Sequence, residues 1–287
     1  MFNTATLAAT DDRVAAAGSC AASQPIAGNW ASVSFADLVG MLGGSLAPDA
    51  RAADITFPVR RLKPGEVLHR AGDKFDAIYV VRSGFLKAVS VDKLGAEQVL
   101  AFPMGGDVIG LDGIDPGRYT SEVIALDTTH VIVVSFARLA HLGHDHVCVE
   151  PLLYRMFSRE LVRERTMIWL LGTLDAEARV AAFLFDLSER FGRLGCSRSS
   201  FLLRMTREEI GSYLGIKLET VSRTLSTFAA AGLILVDRKE VTLLDMPALR
   251  RIMEPQEERV ARSARPARPA PARAASRPQL RPALAMA

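Results

Sequence analysis

Cysteine is scarce in this chain. Its three residues, Cys20, Cys148 and Cys196, are far apart, which argues against a disulfide framework and for a reducing cytoplasm. No run of roughly eighteen apolar residues is present, so no membrane span is expected. The N-terminus carries Asp11-Asp12 and lacks a basic-then-apolar order, which speaks against a signal peptide. Charge of one sign is missing too: 35 Lys and Arg face 32 Asp and Glu, a formal net charge of +3. Such a chain does not bind polyanions indiscriminately, and nucleic-acid affinity must come from a local basic surface. No acid–base pair, nucleophile elbow or phosphate loop stands at a workable spacing, so an enzyme is not expected. What is present is enough apolar content, 49% of 287 residues, for two modest domains with tails.

The most informative stretch is 205–245. Ile210 and Leu214 fall on one helical face, Thr206 suits an N-cap, and Glu209 gives capping-box spacing. Gly215 then breaks the pattern at a tight helix–helix turn. A second helix is expected over 218–231, with Val221, Leu225 and Phe228 as its buried stripe and Gly232 closing it. Residues 233–236 and 241–244 read as two strands around a charged turn. Together these make a winged helix-turn-helix. The buried stripe leaves Glu219, Thr220, Ser222 and Arg223 outward in the first two turns of the second helix, the end that enters the major groove. Arg223 can fork onto guanine O6 and N7, Glu219 can accept from cytosine N4, and Ser222 can touch a thymine or a phosphate. Thr206, Lys217 and Thr220 are placed for phosphate contacts. The alternative is a solvated face on which Glu219 and Arg223 pair with each other.

These residues carry a resemblance. The segment resembles the DNA-binding end of the Crp/Fnr family, more closely its Fnr/FixK branch. That branch has Glu-x-x-Ser-Arg on its recognition helix, and Glu219-Thr-Val-Ser222-Arg223 is intact here. The resemblance implies a homodimer on an inverted repeat of TTGAT-type half-sites, with Arg223 on the guanine and Glu219 on its paired cytosine. It also implies a transcription activator that recruits RNA polymerase through exposed barrel turns, for which 92–96 and 127–129 are the candidates.

Upstream, short strands are expected over 55–62, 67–70, 77–82, 84–91, 98–102, 121–126 and 130–135, an antiparallel barrel or jelly roll. The turns Lys63-Pro-Gly-Glu and Ala71-Gly-Asp resemble the family's cyclic-nucleotide-binding-like barrel. Cyclic-nucleotide binders carry Gly-Glu-Leu and then an Arg-Ser pair. The matching positions here read Gly110-Leu111-Asp112 and Tyr119-Thr120-Ser121, with Arg118 one or two positions off, so a cyclic nucleotide is not expected. An Fnr-type iron–sulfur cluster needs four thiolates. The resemblance puts three near the N-terminus and one in the barrel, where Cys20 and Ile132 stand, so the cluster is not expected and no other cofactor is implied. His141, His144, His146 and Cys148 crowd one short segment. A metal or haem site is one reading. The spacing matches no common zinc pattern, and a solvated loop is the other.

Residues 149–171 read as one long helix. Tyr154, Phe157, Leu161, Glu164, Ile168 and Leu171 are spaced 3-4-3-4-3, the seam of a two-stranded coiled coil. Two Glu164 carboxylates facing across it would repel and weaken the dimer, unless each pairs with Arg163 or Arg165. Gly172 reads as a hinge. Asp175 suits the N-cap of a helix over 176–194, whose stripe Val180, Phe183, Leu184, Leu187 and Phe191 faces inward. Cys196 reads as an exposed spectator thiol. Residues 35–46 carry a weak helical pattern interrupted by Gly43-Gly44, and 47–54 a short further turn.

The expected α+β chain therefore has a disordered arm (1–30), a β-barrel sensor-like domain (31–147), a dimerisation helix (148–172), a winged helix-turn-helix (173–250) and a Pro/Ala/Arg tail (251–287). That tail, with seven arginines against two glutamates beyond residue 254, either adds phosphate affinity or is inert. The expected partners are double-stranded DNA, a second copy and RNA polymerase, with no membrane, in the cytoplasm. A ligand-, haem- or thiol-responsive regulator, and a ligand-binding module without DNA binding, stay open beside this reading.

Overall fold

The structure, a computed structural model, describes residues 32–44, 55–92, 95–147 and 149–254. The N-terminal arm with Cys20, the turn expected over 47–54, Cys148 and the basic tail lie outside these residues.

Nine strands in two sheets, with short helices, make up the N-terminal part of the described residues. β1 (Ser32–Ser34), β2 (Thr56–Leu62), β9 (Thr129–Ser135), β4 (Ala77–Ser83) and β7 (Val108–Ile109) form one antiparallel sheet in that order. β3 (Val67–His69), β8 (Glu122–Ala125), β5 (Leu86–Val91) and β6 (Glu97–Ala101) form the facing sheet. Leu62, Leu68, Tyr79, Val81, Leu86, Val123 and Val131 fill the space between them. The expected barrel is thus a jelly roll of two sheets with open edges, the usual outcome when alternating strands bury one face each.

Helix α1 (Phe35–Met41) stops ahead of the expected Gly43-Gly44 interruption, where Gly43 takes φ 73°, and strand β1 before it was not foreseen. The histidine segment is not a loop. His141 and His144 lie exposed on α2 (Phe136–Asp145), whose apolar Leu139 and Leu142 dock it on the first sheet.

α3 (Val149–Thr173) buries Val149, Leu152, Met156 and Leu170 against its own chain. Gly172 lies inside its last turn rather than at a hinge. The chain turns at buried Leu174, and Asp175 caps α4 (Ala176–Arg193) by accepting from the Ala178 amide at 2.9 Å. All five residues of the expected α4 stripe are buried. Cys196 follows in the turn that closes α4, its amide donating to the Phe191 carbonyl at 3.0 Å. It is half-buried and disulfide-bonded, not the exposed free thiol that the sparse cysteine pattern suggests.

The C-terminal part contains β10 (Ser200–Leu202), α5 (Arg207–Leu214), α6 (Leu218–Ala230), β11 (Ile234–Asp237), β12 (Glu240–Leu243) and α7 (Met246–Ile252). β10 and α7 extend the expected motif: β10 adds a third strand to the hairpin, in the order β10-β12-β11. This unit does not stand apart from the jelly roll. Phe85, Val89, Val99, Phe102 and Met104 share one apolar cluster with α4, α5 and α6. Across the junction the Val99 amide, an edge donor of β6, donates to Ser212 Oγ at 2.9 Å, and Gln98 donates to the Ser212 carbonyl. Lys87 and Glu209 pair at 3.0 Å.

Candidate nucleic-acid interface

The helix-turn-helix is built by local rules. Thr206 Oγ1 accepts from the Glu209 amide at 3.1 Å while Glu209 accepts from the Thr206 amide at 2.7 Å, the complete capping box. Gly215 closes α5 at φ 62°, a conformation that costs a residue with a Cβ about 1–2 kcal/mol. Gly211 matters as much and escapes periodicity: a Cβ there would stand 2.6 Å from the Ile216 carbonyl oxygen. Only glycine lets the turn pass so close to α5. Val221, Leu225 and Phe228 anchor α6, at 0%, 4% and 1% exposure, each contributing about 1.5–3 kcal/mol if moved from water to the core.

This anchoring turns the opposite face outward. Lys217, Glu219 and Arg223 are exposed, and Thr220 and Ser222 are half-exposed. Glu219 and Arg223 form no salt bridge with each other or with other described residues. Lys217 occupies the N-cap of α6 and offers no side-chain acceptor, so the first amides of the helix remain available to an outside anion. Thr206 is exposed at the start of α5. The structure brings all six sequence-derived residues, Thr206, Lys217, Glu219, Thr220, Ser222 and Arg223, onto the two helices of one motif.

Sequence reasoning missed Arg207. It lies in the first turn of α5, where the helix dipole disfavours a cation. Its Nη2 donates to the Arg238 carbonyl at 3.4 Å, its buried Nη1 has no hydrogen-bond partner, and burial lowers its pKa. Arg238 itself takes φ 53° at the tip of the β11–β12 wing and stands exposed beside Lys239. A cation at the unfavourable end of a helix was the signal available. It ties the wing to the same edge as Thr206.

The loop that matches the nucleotide-binding segment is internally satisfied. The Asp112 carboxylate accepts from the Thr120 amide at 3.0 Å, from Thr120 Oγ1 and from Ser121 Oγ at 3.4 Å. Arg118 donates to the Gly72 carbonyl at 2.8 Å. Ile132 is fully buried within the first sheet. Among the described residues no three His, Cys, Asp or Glu side chains gather as a metal site. His146 is turned inward, 7% exposed, with its ring 5.5 Å from that of Phe35, away from His141 and His144. The 127–129 turn is also less open than expected. Thr129 is fully buried, and Asp127 pairs with Arg204 at 3.0 Å, because the reader packs over this end of the jelly roll.

Inside the jelly roll His69 is 5% exposed and stacks on Tyr119, ring centroids 3.9 Å apart. Neither ring nitrogen has a hydrogen-bond partner among the described residues. The Ser121 backbone stands near without reaching normal geometry. Burial lowers the His69 pKa, and Asp112 and Asp73 only partly offset it. Burial likewise raises the Tyr119 phenol, which donates to the Ala77 carbonyl at 2.7 Å. A folded-state pKa below the ordinary histidine value of 6.5 means that His69 favours the fold fully above that pH and progressively less as pH falls below it. His69→Phe keeps the stack and removes the unsatisfied nitrogens. It is expected to raise stability by about 1–3 kcal/mol and to flatten the loss of Tm between neutral and mildly acidic pH. Thermal melts at a series of pH values check both; an unchanged slope would refute the assignment.

Two domain families match the chain: the cyclic nucleotide-binding domain over residues 59–146 and the Crp-like helix-turn-helix domain over 178–252. The chain is 38% identical over 193 residues to the transcriptional regulatory protein btr of Bordetella pertussis, covering 67% of this chain and 80% of that protein. It is 42% identical over 186 residues to the transcriptional activator protein anr of Pseudomonas aeruginosa, covering 65% of this chain and 76% of that protein. Among solved structures it is similar to FixK2 from Bradyrhizobium japonicum, with TM-score 0.63 and 26% identity over 69% of this chain and 98% of that one. A jelly roll feeding a long helix and then a winged reader, with these identities across both parts, makes the chain a member of the Crp/Fnr family of transcription regulators, which are not enzymes.

Proposed function

We propose that the protein regulates transcription as a homodimer that reads an inverted repeat of TTGAT-type half-sites, mostly as an activator. One observation carries this reading: Glu219, Ser222 and Arg223 share the outward face of α6, and Glu219 and Arg223 are exposed without a salt bridge among the described residues. Arg223 takes the guanine and Glu219 the paired cytosine, while Ser222 contacts a neighbouring base or phosphate. Thr206, Lys217 and Thr220 hold phosphates and set the register. The activator role is supported by the similarity to anr. Of the two turns considered for RNA polymerase, 92–96 is the better candidate, since its described residues Asp92, Gly95 and Ala96 are exposed.

Dimerisation runs along α3. Tyr154, Phe157, Leu161, Ile168 and Leu171 are 63%, 37%, 53%, 71% and 37% exposed on the single chain. Such a stripe on one helix asks for a partner, and its heptad spacing fits a second copy of the same helix. Glu164 stands exposed in the middle of it. Arg163 is engaged with Asp107 and Glu160 instead, and neither Arg165 nor Glu164 makes a salt bridge among the described residues. The carboxylate is therefore a weak point of the seam.

Asp112 already takes the donors of the Thr120-Ser121 pair, which supports a regulator that works without a cyclic nucleotide. The proposed domains are the sensor-like 31–147, the dimerisation helix 148–172 and the reader 173–250. No helix among the described residues is long and apolar enough to cross a membrane. The reading is tested by a mobility shift with a TTGAT inverted repeat at moderate salt, using protein purified in air without added cofactor. Retention of the repeat, and not of one with altered guanines, is expected. Equal affinity for both would leave only a non-specific binder.

A further inference from the structure

One carboxylate joins all three parts of the chain. Asp107 lies in the turn before β7 and is 9% exposed. Its Oδ1 accepts from Arg163 of α3 at 2.5 Å, and its Oδ2 accepts from Arg190 of α4 at 2.5 Å and from the Met104 amide at 2.9 Å. Arg190 also donates to the Phe102 carbonyl at 2.7 Å and pairs with Asp186 at 3.3 Å. Burial alone would raise the Asp107 pKa, but Arg190 and then Arg163 outweigh it and keep the carboxylate ionised.

A buried ion triad of this kind is not an efficient source of stability, because apolar side chains of similar volume serve as well. What it supplies is geometry. Two guanidiniums on separate helices meet one carboxylate in a narrow range of relative orientations. α6 packs with α4 in the cluster that also holds α5, so the angle of α4 sets where the base-reading face points. α3, the other arm of the triad, is the helix on which two copies would meet.

We propose that Asp107 is a positioning residue for DNA recognition: with Arg163 and Arg190 it fixes the reader against the dimer helix, and so fixes the spacing of half-sites that the dimer accepts. This rests on the dimeric DNA-binding reading above. The recognition face stays open while the reader is held, since Glu219 and Arg223 are exposed. The held orientation is therefore one in which bases are within reach, and the contacts from Ser212 to the β6 edge reinforce it.

The test uses the full chain and three inverted repeats, one with the preferred spacer and two with a base pair inserted or removed. Each such change moves the second half-site by about 3.4 Å and turns it by roughly one tenth of a helical turn. Wild type should prefer its spacer by at least about tenfold, the order of one mismatched base pair. Asp107→Asn and Arg163→Met should remain dimeric in sedimentation, lose about tenfold on the preferred spacer, and bind all three repeats within about threefold of one another. Arg163→Met covers the case in which Asp107→Asn does not fold. The salt dependence should stay as in wild type, because no phosphate contact is removed. An unchanged spacer preference, or an equal loss on all three repeats, would overturn the proposal. Failure of wild type to bind any repeat would instead overturn the DNA-binding reading on which it rests.

Discussion

Arg223→Ala is expected to weaken binding of a TTGAT repeat by about 30-fold to 10⁴-fold. A bidentate arginine–guanine pair contributes about 1–3 kcal/mol of discrimination, and a dimer loses two, or about 2–6 kcal/mol in total. The loss should be selective. On a repeat with the guanine replaced, wild type and variant should bind alike, because the missing contact was a base contact. Lys217→Ala provides the contrast. It should weaken both repeats by similar factors and lower the salt slope by about one per half-site, as a phosphate contact does. The structure makes this comparison clean. Arg223 is exposed and makes no salt bridge among the described residues, so its removal should leave the fold intact, with Tm unchanged. If Arg223→Ala costs the same on both repeats in an anisotropy titration, the base-reading assignment is wrong.

Ile168→Glu should convert the protein to monomers at concentrations where wild type is dimeric. Ile168 is 71% exposed on the lone chain, and burying such a side chain against a partner contributes about 1.5–3 kcal/mol. Two are lost per dimer, and two carboxylates are added beside the pair of Glu164 residues. The dimer constant should weaken by at least about 10²-fold, from the apolar loss alone. DNA affinity should fall with it, because each half-site then binds alone. Glu164→Leu should act in the opposite direction, removing repulsion and adding apolar contact at the same seam. Sedimentation across a concentration series separates the three proteins. A tighter dimer for Glu164→Leu alone would leave the Ile168 placement unsupported, and no response from either variant would remove α3 as the interface.

The parts of this protein that were legible beforehand are those whose cause is local. Thr206 and Glu209 lie one helical turn apart, so their capping box could be read from spacing. Gly215 marks a backbone angle, and Val221, Leu225 and Phe228 mark a face by period alone. The outward position of Arg223 follows from them. The heptad stripe on α3, proposed as the dimer seam, was legible for the same reason, since a heptad is a property of one helix. The structure adds that these side chains are left uncovered by their own chain.

Other features depend on residues brought together from far along the chain. Asp107 and Arg190 are 83 positions apart, and Val99 and Ser212 are 113 apart. No periodicity connects them. His69 looked like an ordinary strand residue, and only the stack on Tyr119 shows that its nitrogens are stranded. β10 was hidden because three residues, Ser200–Leu202, are too few to show alternation, and pairing with β12 makes the strand. Gly172 looked like a hinge because glycine permits one. Hydrogen bonding carries α3 through to Thr173, and the turn falls at Leu174, which the reader core holds. Sequence alone determined the reader, its outward residues and the apolar heptad stripe of α3, because neighbours a few residues apart specify them. How reader, seam and jelly roll are held together was decided only by tertiary structure, where buried charges and sheet edges find partners that no short stretch of sequence contains.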